Sequence, residues 1–148
     1  MAFAMLLVSC GEEPPAPTAE HDETTNPWYG ETLGQLTSML GDATEFRRQG
    51  KADEASALIE KGEPLASQLL AVRHPTLAAM QAASDLDDLY GRMLLSNRHY
   101  AWAQFLFQKN VARWKHWVPS TPDTEARLKQ AEDAVRECDK GMMKPAGR

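Results

Sequence analysis

Two cysteines, four histidines and one tight run of carboxylates are the residues of this chain with chemistry of their own. Cys10 and Cys138 sit near opposite ends of 148 residues, too few for a disulfide framework and without metal-site spacing. His21, His74, His99 and His116 are scattered, and none forms Glu-x-x-His, His-x-x-x-His or Cys-x-x-Cys-His, so metal or haem ligation lacks the spacing it needs. Asp85, Asp87 and Asp88 are dense enough to attract a hard cation, but one helix turn spreads such carboxylates around its axis, and a solvated acidic face is expected instead. No Gly-rich phosphate loop follows a strand, and no Gly-x-Ser-x-Gly elbow occurs. The expectation is a chain that is not an enzyme and that carries no cofactor and no metal.

Cys10 takes its meaning from its neighbours. Residues 1–8 are uncharged and apolar, Ser9 is small, and a polar, Pro-rich stretch begins at Gly11. The apolar run is too short to cross a bilayer, which needs about 20 residues. Leu7-Val8-Ser9-Cys10 resembles the lipobox of bacterial lipoprotein signal peptides. The resemblance implies that residues 1–9 are a signal peptide, truncated here, and that Cys10 carries a diacylglyceryl thioether and becomes the mature amino terminus. It further implies an extracytoplasmic protein, lipid-anchored to the cell membrane. Gly11 stands where an Asp favours inner-membrane retention in enterobacteria, which leans the expectation toward the periplasmic face of the outer membrane. Family signals begin with Lys or Arg and a longer apolar region, so the recorded start is expected to lie downstream of the true one. The alternative is an apolar tail packed on the domain.

Composition and periodicity describe the elements behind these groups. With 43% apolar and 25% charged residues, the chain is ordinary for one globular domain with one core. Residues 10–27 comprise the cysteine that the resemblance implies is lipidated and a spacer that holds Pro14, Pro15, Pro17 and Pro27 among Glu12, Glu13, Glu20, Asp22 and Glu23. Such a segment cannot bury enough surface to offset its ordering entropy, so a disordered acidic linker is expected, with a reach of roughly 50 Å at about 3.1 Å per residue.

From Trp28 onward the apolar residues recur at intervals of three and four, which predicts a helical domain over residues 28–141, with 142–148 a disordered tail. A first helix carries Tyr29, Leu33, Leu36, Leu40, Ala43 and Phe46 and ends at Gly50. A second carries Ala55, Leu58 and Ile59 and kinks or restarts at Pro64. A third opens at Thr76 and runs to about Ser96, and a fourth spans about Arg98 to Trp117. The fifth is capped by Thr121, with Pro122 in its first position and Cys138 on its buried stripe. Short connections force neighbours to run antiparallel. The predicted fold class is all-α, an antiparallel bundle of about five helices.

Phe46, Gly50, Ala55, Ile59 and Gly62 in the first hairpin, and Gly91, Leu94, Tyr100, Ala103 and Phe107 in the second, place aromatic, turn and small packing residues in a shared order. On these residues the hairpins resemble tetratricopeptide repeats. Ala55 and Ala103 stand 48 residues apart, against about 34 in the family, a difference that an insertion around residues 64–75 accounts for. A plain helical bundle places small residues at the same crossings.

Charge is segregated along the chain. Residues 11–88 carry 15 acids against 5 bases, whereas residues 89–122 carry Arg92, Arg98, Lys109, Arg113 and Lys115 and no acid. The fourth helix therefore either docks on the acidic half of its own domain or offers a cationic face to an anionic partner, such as phospholipid headgroups or an acidic protein. It is also aromatic-rich. Placed at 100° per residue, Tyr100, Trp102, Ala103, Leu106, Phe107, Val111, Trp114 and Trp117 share one side, which predicts that it is the central core helix. Phe105 falls on the opposite face with Lys109 and His116, and Phe105, Lys109, Arg113 and His116 are the expected partner-binding residues. The net charge of −5 argues against nucleic acid. The functional expectation is a membrane-anchored lipoprotein with a helical protein-interaction domain, an adaptor or assembly subunit of a cell-envelope complex. The alternative is a carrier or sensor of a small molecule held in an aromatic-lined cavity.

Overall fold

The computed structural model describes residues 21–144; the lipobox, Cys10 and most of the expected linker lie outside them. Among the described residues the fold is all-helical: α1 (Pro27–Arg48), α2 (Ala52–Leu70), α3 (Leu77–Ser96), α4 (Tyr100–His116) and α5 (Pro122–Met143), preceded by one 3-10 turn at Glu23–Thr25. Two boundaries lie further out than the periodicity placed them. Asp22 accepts the Thr24 N–H at 3.0 Å and caps the 3-10 turn, so ordered chain begins before Trp28. At the other end α5 continues through Met142 and Met143.

Local chemistry sets most of the helix ends. The Thr76 hydroxyl accepts the Ala79 N–H at 3.2 Å at the start of α3. Thr121 and Thr124 cap each other reciprocally at the start of α5, with Pro122 in the first turn, where its missing N–H has no helical partner to lose. Gly50, at φ +76°, closes α1 with two reversed bonds, Lys51 N–H to the Phe46 carbonyl at 2.9 Å and Gly50 N–H to the Arg47 carbonyl at 3.0 Å. The α3–α4 turn has the same geometry built on a different residue. His99 N–H bonds the Leu94 carbonyl at 2.9 Å and Arg98 N–H the Leu95 carbonyl at 3.0 Å, which puts Arg98 at φ +62°, in the left-handed region that favours glycine. Pro64 neither ends nor restarts α2, which runs as one helix past it. Pro64 and Glu60, whose carbonyl loses its helical donor, both face solvent, so water can satisfy that oxygen.

The central helix is α3, not α4. On one side α1 and α2 pack against it around Leu36, Ile59, Leu69 and Leu86, and on the other α4 and α5 pack around Ala103, Phe107, Ala134 and Cys138 with Leu94 and Leu95 of α3 at their edge. Small residues make this possible: Ala79, Ala82, Ala83, Ser84 and Gly91 are all buried along α3, so helices can approach it from both sides. The Phe107 ring lies over Gly91 so closely that a Cβ there would sit 2.7 Å from Cε1. Ala55 and Ala103 are fully buried in the two hairpins, and each large aliphatic side chain buried in these cores contributes about 1.5–3 kcal/mol.

Candidate functional site

Helix α4 spends much of its positive charge inside the domain. Asp87 is 3% exposed and accepts from Lys109 Nζ at 2.8 Å and Arg113 Nη2 at 3.1 Å. Arg113 also donates to the Asn110 side-chain oxygen. Asn110 Nδ2 donates to the Ser84 carbonyl, and Trp114 Nε1 to the Ser84 hydroxyl, both at 2.9 Å. The rest of the acidic cluster is likewise engaged: Asp85 with Arg127 at 2.8 Å, and Asp88 with Arg92, which also reaches Glu137. The solvated acidic face expected from sequence is therefore a seam of ion pairs that joins α3 to α4 and α5. Among the described residues no group of three or more His, Cys, Asp or Glu side chains converges as a metal site would require. Arg113, with its side chain 8% exposed, is committed to this seam rather than to the surface.

Beyond the seam, toward the α3–α4 turn, lies an apolar groove of about 450 Å³. Tyr90 and Leu94 of α3 form its floor, Trp102, Phe105 and Leu106 of α4 one wall, and His99 its end. Trp102 is 69% exposed and Phe105 56%, which makes them the two large aromatics that water reaches most among the described residues. Phe105 is on the exposed face, as its helical position implies. Trp102 is not in the core, where the helical wheel put it. Ala103 and Phe107 occupy the close α3–α4 contact, and Trp102 sits at the margin of the apolar arc, beside that contact rather than in it. Lys109 lies one turn beyond Phe105, half-exposed, with its ammonium on Asp87. It lines a second depression of about 320 Å³ that continues along the same face of α3 past Leu86 and Ala83 toward Glu63 of α2. His116 bonds the Ala112 carbonyl at 2.7 Å. It stands 11 residues from Phe105, about 16 Å along the axis at 1.5 Å per residue, and lines neither depression. Of the four residues singled out by sequence, then, Phe105 lines the groove, Lys109 adjoins it, Arg113 is internal and His116 is remote.

The groove and the start of the described chain lie at opposite ends of α3. His21 and Asp22 share a depression with Arg73 and His74, and the Thr76 N–H donates to the Tyr29 hydroxyl oxygen at 3.0 Å, so the chain joins the domain at the amino end of α3. Leu94, on the groove floor, is 18 residues beyond Thr76, about 27 Å along the helix.

Cys138 is fully buried, and burial, followed by repulsion from Glu137 and Asp139, raises its thiol pKa, which suppresses thiolate chemistry. Among the described residues no helix is long and apolar enough to cross a membrane. Comparison with protein-family models, with curated proteins and with solved structures finds no match to this chain.

Proposed function

We propose that this chain is a lipoprotein anchored through Cys10, whose helical domain docks a partner protein in the α3–α4 groove and serves as an adaptor or assembly subunit of an extracytoplasmic envelope complex. One observation carries the docking half of this reading: Trp102 and Phe105 stand exposed at 69% and 56% beside an apolar floor, the composition of an interface hot spot. A small-molecule carrier buries most of its ligand, whereas this groove leaves its largest wall residue in water, and Trp114 is packed and hydrogen-bonded in the core. The resemblance of residues 7–10 to a lipobox carries the anchoring half. Two or more acyl chains at Cys10 give stable membrane attachment. In this reading the tetratricopeptide-like hairpins supply a rigid frame for the groove. Two measurements test the proposal. Mass analysis of the amino-terminal peptide from the native host is expected to show an acylated Cys10, and an unmodified Cys10 still preceded by Ser9 overturns the anchor. A protein that co-isolates with the wild type from solubilised membranes is expected to be lost with Trp102→Ala/Phe105→Ala; an unchanged set of co-isolated proteins overturns the docking site.

A further inference from the structure

We infer that the occupant of the α3–α4 groove is an acidic amphipathic helix of a partner protein, which rests on the reading of that groove as a docking surface. Three observations select this chemistry. The walls are helices, whose backbone groups are bonded along their own axes. An extended peptide laid there would bury unpaired N–H and C=O groups, whereas a helix brings its own backbone bonds with it. The floor has helical spacing as well: Tyr90 and Leu94 lie one turn apart on one face of α3, and Leu86 continues that face into the neighbouring depression beyond the Lys109–Asp87 ion pair.

The charge around the groove then sets the sign. Residues 89–122 contain no carboxylate. Arg92 and Arg113 are neutralised within the domain, but Arg98, next in sequence to the groove residue His99, is exposed, and its side chain makes no ion pair or hydrogen bond among the described residues. It also holds a left-handed conformation in which glycine would be less strained, so its side chain is kept at a conformational cost. The uncompensated carboxylate on the lining is Glu63, at the far end. A partner helix is therefore expected to place its acids toward Arg98 and its apolar stripe over Trp102 and Phe105. Finally, the groove opens about 27 Å along α3 from the point where the chain enters the domain, at the end of α3 opposite the tether.

The test is selection on the immobilised full chain from a displayed library of amphipathic helices, with polar positions varied among Glu, Lys and Gln. Expected is enrichment of Glu-rich helices whose binding falls about tenfold or more with Trp102→Ala or Phe105→Ala, falls with Arg98→Glu, and weakens with added salt. Enrichment of neutral or Lys-rich helices that still need Trp102 overturns the acidic assignment and leaves the docking groove standing. Absence of any Trp102-dependent helix overturns the inference. Trp102-dependent flotation with phosphatidylglycerol vesicles, or a Trp102-dependent dimer in sedimentation, in place of helix binding, overturns it as well, in favour of a lipid surface or a second copy.

Discussion

Arg98→Gly is expected to stabilise the domain while weakening partner binding, and the size of the first effect follows from the backbone alone. Arg98 closes α3 at φ +62° through the same pair of reversed hydrogen bonds that Gly50 makes at φ +76° after α1. A side chain with a Cβ in that region is disfavoured by roughly 1–2 kcal/mol, which glycine avoids, and part of that gain is returned because glycine is freer in the unfolded chain. The net expectation is about 1 kcal/mol of added stability, or about 3–5 °C in Tm for a domain of this size. Arg98 makes no ion pair or hydrogen bond among the described residues that the substitution would remove. Arg98→Ala, which keeps the Cβ, isolates the backbone effect from the loss of charge. Urea unfolding followed by circular dichroism compares the three proteins. An Arg98→Gly protein no more stable than Arg98→Ala would refute the strain argument. If Arg98→Gly gains stability and still binds the selected acidic helices at full strength, the side chain has no part in recognition.

Asp87→Ala leaves Lys109 and Arg113 facing each other without their carboxylate, Arg113 in a site where its side chain is 8% exposed; a loss of about 3 kcal/mol is expected in urea unfolding, and a loss below about 1 kcal/mol would mean that water takes over the ion pair's role. Gly91→Ala drives a methyl to within 2.7 Å of the Phe107 ring, with an expected loss of about 1–3 kcal/mol, partly restored when Phe107→Leu is added; no loss would show that α3 and α4 separate easily. Because the Cys138 thiol pKa is raised by burial and by its acidic neighbours, the unfolded chain releases this proton at lower pH than the folded one. Stability is then complete below the ordinary thiol range and declines as pH climbs through it, a slope that Cys138→Ala should abolish and that urea titrations at several alkaline pH values would reveal.

The helices were legible where local chemistry defines them. Gly50, Thr76 and the Thr121-Pro122 pair each mark a boundary through a bond to a neighbour a few residues away, and such bonds are written in short stretches of sequence. The layering was not. Six aromatics point to the fourth helix as periodicity bounds it, yet burial belongs to the helix that two layers can approach, and that is decided by the small residues Ala82, Ala83, Ser84 and Gly91 of α3. Trp102 was misplaced for a related reason, since helical periodicity gives a direction but not how wide an arc the neighbours cover. Asp87 read as one of three solvated acids because its partners are 22 and 26 residues further on. The charge segregation did hold the clue, since a helix rich in cations with no acid of its own needs carboxylates from elsewhere, and α3 supplies them. Of the candidate site, Phe105 and the neighbouring Lys109 were accessible from sequence, whereas the groove itself needs Tyr90 and Leu94 brought beneath them by the α3–α4 turn.

The central claim is that a protein partner sits against Trp102. A photoreactive amino acid placed at position 102 and illuminated in native membranes tests it directly, with position 38, exposed on α1, as the control. A discrete protein adduct is expected from position 102 and not from 38. Equal labelling from both positions, or adducts at 102 with lipid alone, would contradict the claim.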